Sequence, residues 1–172
     1  EGMTLKVSYK EVSKEFNISL VKVYKEYAAT GMTAEVGSFQ PNNNTEGNGN
    51  LALDNNLNTM WHTNWNGCQR SETWITIDMK KEQNVAMLKY TPRQGGGTNG
   101  NITAYEIYVS KDGQTWGEPV ATGTWANNNV VKYARFDTVS GRYVKLVATN
   151  SASQEASKIF ASAAEIRLGF EE

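Results

Sequence analysis

The sequence predicts an all-β fold, an antiparallel β-sandwich of the jelly-roll kind. Two observations carry this. From residue 74 onward, runs that alternate apolar and polar residues recur roughly every ten residues, the spacing of strands joined by tight turns rather than helical crossovers. The 3 prolines fall in a loop (Pro41) or at strand edges and turns (Pro92, Pro119), where a missing amide proton costs no ladder hydrogen bond.

Taken in order, the first thirty residues, EGMTLKVSYKEVSKEFNISLVKVYKEYAAT, are rich in Lys and Glu. LKVSY and ISLVKVY fit a hairpin, while KEVSKEF also fits a short helix, and both readings stand. Residues 1–30 are taken as an N-terminal extension or linker, the end of a preceding module, with the β-sandwich module over 31–172. After Gly31 comes an Asn/Gly-rich segment. TWITIDM then sets Ile75 and Ile77 against Trp74, Thr76 and Asp78, the period of a half-buried strand. NVAMLKYTPR follows, then the glycine-rich loop QGGGTNGN. ITAYEIYVS alternates again before the Asp-Gly turn of SKDGQTW. VVKYARFDT and RYVKLVAT are further strands, expected to join at a Ser140–Gly141 turn, and ASAAEIRLGF closes the chain.

Composition narrows the function. The chain of 172 residues is 39% hydrophobic and 20% charged, the balance of a globular domain with a buried core. A net charge of −1 without basic blocks argues against nucleic-acid or anionic-membrane binding. No apolar run approaches the roughly 20 residues that span a bilayer, so no membrane insertion is expected. No apolar secretory segment is visible, and the chain reads as a mature fragment or as a module cut from something longer. The lone Cys68 makes no internal disulfide. Asn17, Asn43 and Asn101 lie in glycosylation triplets, a weak signal in an Asn-rich chain.

The chemistry concentrates in LDNNLNTMWHTNW, which holds the single histidine, His62. Asp54, the neighbouring Asn residues and Thr59 supply hard oxygen ligands of the kind Ca²⁺ prefers, and the same residues also fit a plain Asx-turn. His62 fits a packed core histidine, a catalytic base or a ligand-gripping group. Catalysis lacks partners: WHTNWNGCQR carries no Cys-nucleophile signature, no two carboxylates are marked as a glycosidase pair, and zinc would lack His and Cys ligands. Arg93 and Asn99, in YTPRQGGGTNGN, offer a fork of donors and a mixed amide, a set suited to sugar hydroxyls that both donate and accept. Taken singly, each is also an ordinary strand-end or loop residue. Trp61, Trp74, Trp116 and Tyr105 are expected in the core. Phe160 reads either as an exposed ring able to stack on a pyranose or as a loop anchor.

The succession ALDNNLNTMWHTNW, WITIDM, YTPRQGGGTNGNITAYEIYVSKDGQTW, RYVKLVAT and FASAAEI resembles the discoidin-like, galactose-binding-fold domains (coagulation factor 5/8 type C). Within them it is most similar to the family 32 carbohydrate-binding modules, from about Thr33 to the C-terminus. The resemblance implies a structural Ca²⁺ held by Leu51, Asp54, Asn56, Thr59, Ala164 and Glu165. Asn55 stands where the family has Gly, and Asn tolerates positive φ best among other residues. It implies a shallow sugar site with His62, Arg93 and Asn99 hydrogen-bonding, Phe160 stacking, Glu46 joining them and Trp65 at the rim; Asn101 is the alternative to Asn99.

It further implies a non-catalytic, lectin-like role: binding galactose or N-acetylgalactosamine on glycans such as mucin chains, as a monomer tethered to a secreted or cell-surface, bacterial glycan-active enzyme. A discoidin-type adhesion, protein- or lipid-binding domain is the alternative, against which stand the polar loops and single cysteine. A stand-alone hydrolase is the third. His62→Ala and Arg93→Ala are expected to abolish sugar binding and leave the melting temperature nearly unchanged.

Overall fold

The computed structural model describes residues 2–19 and 21–172, whose strands form three sheets. Strands β1 (Gly2–Tyr9) and β2 (Val12–Ser19) make an antiparallel hairpin. It turns at Lys10 and Glu11, with Lys10 at φ 52°. LKVSY therefore pairs with the KEVSKEF stretch that also fitted a helix: Leu5 faces Phe16 and Val7 faces Lys14. The period-2 pattern decides this, since Met3, Leu5, Val7, Tyr9, Val12 and Phe16 share one face of the ribbon. All six are exposed.

The main sheet runs β3-β12-β7-β10-β8-β9, with β4 also paired to β7. Its strands are β3 (Tyr24–Glu26), β4 (Thr33–Val36), β7 (Trp74–Thr91), β8 (Ile102–Ser110), β9 (Ala121–Thr124), β10 (Lys132–Ser151) and β12 (Glu165–Glu171). Because β3 pairs with β12, the sheet reaches back past residue 31, the expected edge of the module.

Two long strands curl this sheet into a β-sandwich. The first part of β7 pairs with β4 and with Tyr143–Val147, and its last part with β12 and the start of β10. Register shifts between Arg135 and Val139 and between Gly141 and Tyr143, with Lys80 at φ 67°, bend both strands. Ile75, Ile77, Val85, Leu88, Ile107, Val144, Leu146 and Ile166 are thereby buried between the layers. The polar residues between them face outward, as strand alternation requires.

Two expectations need correcting. WITIDM and NVAMLKY are halves of one bent strand, and Ser140–Gly141 is not a turn: Ser140 pairs with Asn84 and Gly141 with Gln83, so β10 runs on. Gly141 serves close packing instead. A Cβ there would sit 2.4 Å from Val109 Cγ1 and 2.9 Å from the Ser110 carbonyl oxygen. Gly141→Ala is accordingly expected to destabilise the domain by about 1–3 kcal/mol, the range for overpacking. A thermal melt equal to that of the unsubstituted chain would refute this.

Of the aromatics expected in the core, Trp61 and Tyr105 are buried, and the Trp61 indole donates to the Ser38 carbonyl at 2.9 Å. Trp74 and Trp116 are only half-buried, because they flank the Lys145 ammonium instead. Trp125 stacks on both Tyr90 and Tyr105. Asn101 is buried, which removes it as a glycan acceptor in the folded chain. Among the described residues no helix is long and apolar enough to cross a membrane.

The third sheet is small and positions the site. It runs β11 (Ser162–Ala163), β6 (Met60–His62), β5 (Glu46–Gly47). His62 lies opposite Ser162, and β5 runs parallel to β6 with Glu46 opposite Met60.

Candidate functional site

A hollow of about 370 Å³ is lined by Glu46, His62, Trp65, Arg93, Asn99 and Phe160, the six residues anticipated for sugar contact. Glu155 and Lys158 complete it. A larger groove, about 600 Å³, lies over Tyr24, Thr122 and Arg135, and none of the anticipated residues lines it.

Glu46 enters at the start of β5, after a turn in which the Asn43 side-chain oxygen accepts from the Thr45 and Glu46 amides at 3.0 and 2.9 Å. Arg93 follows the end of β7. Its Nη2 lies 3.2 Å from Glu46 Oε1, and Nη1 donates to the Asn99 carbonyl at 3.4 Å. The guanidinium is thus fixed before any ligand arrives, and its buried Nε has no partner. The glycine-rich loop closes on it: a Cβ at Gly97 would meet Arg93 Nε at 3.2 Å. Gly95, Gly96 and Gly100 have φ of 84°, 93° and 83°, backbone that other residues adopt at a cost.

His62 departs from expectation. It is 2% exposed and packs edge-on against Phe160 at 5.3 Å and Trp65 at 6.3 Å between ring centroids. Its Nδ1 lies 2.8 Å from the Thr63 carbonyl oxygen. A carbonyl only accepts, so Nδ1 carries the proton and Nε2 is left as the acceptor. Burial, the largest influence, holds the imidazole pKa below its ordinary 6.5. The site therefore presents a neutral ring with a free lone pair. Truncating so buried a ring opens a cavity, so His62→Ala loses stability as well as binding, contrary to the expectation of an unchanged melt.

A pH dependence follows. The unfolded histidine binds a proton below about pH 6.5 and the folded one only at lower pH. His62 thus subtracts stability as pH falls through 6.5, and adds no further change once both states are protonated. Affinity that depends on Nε2 as acceptor is expected to stay level from pH 8 to 6.5 and to fall only below it. A titration series declining already between pH 8 and 7 would contradict this.

Phe160 is also less open than an exposed stacking ring. It is 4% exposed, its ring is held against His62 and its carbonyl accepts from the Ser151 hydroxyl. Trp65, 36% exposed, is the ring that stands out at this site. Asn99 lines the hollow, whereas Asn101 is buried with its amide directed at Asn127, Asn128 and Asn129. The Asn99 side-chain oxygen accepts from the Gln154 amide at 2.7 Å, tying the glycine-rich loop to the segment that carries Glu155 and Lys158. These two residues form an ion pair at 3.3 Å. They escape sequence reasoning because SASQEASK looks like any solvated loop, and only its place just before Phe160 hints at a role.

The Asp54–Thr59 turn lies beside Glu165. Asp54 Oδ1 accepts from the Asn56 amide at 2.9 Å, and the Thr59 hydroxyl lies 2.7 Å from Asp54 Oδ2. The Asn56 amide also donates to Glu165 Oε1 at 2.9 Å. Asn55 takes φ 63°, the left-handed backbone that Asn adopts more readily than other non-glycine residues. Burial raises the pKa of the Glu165 carboxyl, and its Oε2 pairs with the Arg167 guanidinium. Asp54, Thr59 and Glu165 bring carboxylate and hydroxyl oxygens to one turn, the hard donor chemistry a Ca²⁺ ion takes. No group of three or more His, Cys, Asp or Glu gathers among the described residues, so such a site relies on backbone and hydroxyl oxygens too.

The F5/8 type C domain profile matches residues 33–166. The chain is 46% identical over 106 residues to galactose oxidase of Gibberella zeae, covering 60% of this chain and 16% of that protein. It is 29% identical over 169 residues to a sialidase of Micromonospora viridifaciens, covering 97% of this chain and 25% of that one. It is 32% identical over 160 residues to the A type blood N-acetyl-α-D-galactosamine deacetylase of Flavonifractor plautii, covering 91% and 20%. The chain thus spans a quarter or less of each of these relatives. Among solved structures, CpGH89CBM32-5 of Clostridium perfringens, in complex with GalNAc-β-1,3-galactose, superimposes with a TM-score of 0.73 at 31% identity, covering 85% of this chain and 99% of that one. The family 32 carbohydrate-binding module of C. perfringens NanJ, in complex with galactose, gives 0.71 at 31%, covering 86% and 99%.

Proposed function

The chain belongs to the F5/8 type C domain family, and we propose that it is a non-catalytic carbohydrate-binding module for galactose or N-acetylgalactosamine at the ends of neutral glycans. One observation carries the reading: Glu46, His62, Trp65, Arg93, Asn99 and Phe160, drawn from separate parts of the chain, line one hollow. Neutral Nε2 of His62 accepts from a hydroxyl, and the fixed Arg93 guanidinium donates to its neighbour. The two ion pairs, Arg93–Glu46 and Lys158–Glu155, cancel charge there, which suits an uncharged sugar. The likeness to modules solved with galactose-containing ligands supports the same class.

A site with few hydrogen bonds and one prominent ring binds at about millimolar to high micromolar Kd, and tethering to an enzyme or to further modules raises its effective affinity. We place it accordingly in a longer, secreted or cell-surface glycan-active enzyme, acting on glycans of the mucin type, with β1 and β2 as the end of a preceding module or a linker. Leu51, Asp54, Asn56, Thr59, Ala164 and Glu165 would hold a structural Ca²⁺ that fixes the turn leading into β6. Isothermal titration with galactose, N-acetylgalactosamine and N-acetylglucosamine tests the reading. Binding of the first two supports it. No binding by a folded chain leaves a protein- or lipid-contacting domain.

A further inference from the structure

The sugar hollow is not isolated. A second hollow of about 280 Å³ adjoins it, lined by Asn66, Gly67, Cys68, Ser157 and Ile159 as well as Trp65 and Lys158. Trp65 and Lys158 line both, so they form the wall the two share. The two sides of this wall come from distant parts of the chain, the turn after β6 and the loop before β11. That loop is held in place: Asn99 grips the Gln154 amide, and Lys158 N donates to the Glu155 carbonyl at 2.9 Å. On the other side, the Trp65 amide donates to the Gln40 side-chain oxygen at 3.0 Å, and the Asn66 amide to the Asn64 side-chain oxygen at 2.8 Å.

We propose that this second hollow is a subsite for the next sugar of the glycan, so that the protein reads a disaccharide across the Trp65–Lys158 wall. This rests on the sugar-binding reading of the first hollow. The chemistry matches a second pyranose. Ile159 and the Trp65 ring supply apolar surface for a sugar face, while the Asn66 side-chain carboxamide, the Ser157 hydroxyl and the Lys158 ammonium supply groups for its hydroxyls. Gly67, at φ 145° with nothing within 4 Å of its missing Cβ, leaves the floor open. Glu155 holds Lys158 at the wall, and so acts as a positioning residue.

The test is calorimetric titration of the folded chain with galactose, N-acetylgalactosamine, and a panel of α- and β-linked disaccharides carrying either sugar at the non-reducing end. Ser157→Trp, an exposed position lining only the second hollow, is titrated in parallel. At least one disaccharide is expected to bind about tenfold tighter than its monosaccharide, the worth of one or two net hydrogen bonds. Ser157→Trp is expected to abolish that gain and keep monosaccharide affinity. Equal affinities across the panel would overturn the subsite while leaving the first hollow standing. A gain that survives Ser157→Trp would overturn its location, and failure to bind any sugar would overturn both readings.

Discussion

Arg93→Ala is expected to reduce galactose or N-acetylgalactosamine affinity by about a hundredfold or more, beyond detection for a module of this class. The guanidinium supplies charge-assisted donors, each worth about 1.5–3 kcal/mol, so losing two removes most of the binding free energy. Its position is prearranged by Glu46 on β5, by the Asn99 carbonyl and by the close approach of Gly97, so wild-type binding bears little ordering cost at this residue. The fold does not depend on it in the same degree: Arg93 lies outside the apolar core, and its partner Glu46 keeps part of its side chain in water. The melting temperature is therefore expected to move little. Calorimetry and a thermal melt on one preparation check both halves, and retained affinity would remove Arg93 from the site.

The second large effect concerns the turn before His62. If Ca²⁺ binds the folded chain alone, a concentration one hundred times Kd adds about 2.7 kcal/mol of stability. For a domain of this size that is about 5–10 °C in the melting temperature. Chelation is expected to lower the melt by this amount, and Asp54→Ala to lower it without any further response to chelator. The same ion would weaken the hold of Arg167 on Glu165, since both compete for one carboxylate. A melt indifferent to Ca²⁺ and chelator would mean that Arg167 and the Asx-turn bonds of Asp54 hold the turn unaided.

The fold class was legible because alternation reports directly which face of a strand is buried, and β7, β8 and β10 bury Ile75, Ile77, Ile107, Val144 and Leu146 in that pattern. What alternation does not report is continuity. Ser140–Gly141 has turn composition, yet Gly141 is required by Val109 and Ser110 on a neighbouring strand, a contact no local pattern encodes. The hairpin β1–β2 was ambiguous for a related reason, since Lys and Glu suit an exposed strand as well as a helix.

At the site, residue types were readable and their exposure was not. His62 and Phe160 stand in polar surroundings in the sequence, but they press on each other across β6 and the approach to β11, which buries both. Asn99 has the residue type of a ligand hydrogen-bonder, and its side-chain oxygen holds the loop at Gln154. Glu155 and Lys158 are not legible because nothing in a short polar loop announces that an amide on another loop anchors it.

The proposed function places the terminal sugar in the His62–Arg93 hollow. The most direct measurement is a ¹H–¹⁵N chemical-shift titration of the chain with N-acetylgalactosamine. Saturable shifts are predicted at His62, Thr63, Trp65, Arg93, Asn99 and Phe160, with the Trp65 indole among the largest. Absence of saturable shifts there, or shifts centred on the Tyr24–Arg135 groove, would contradict the account.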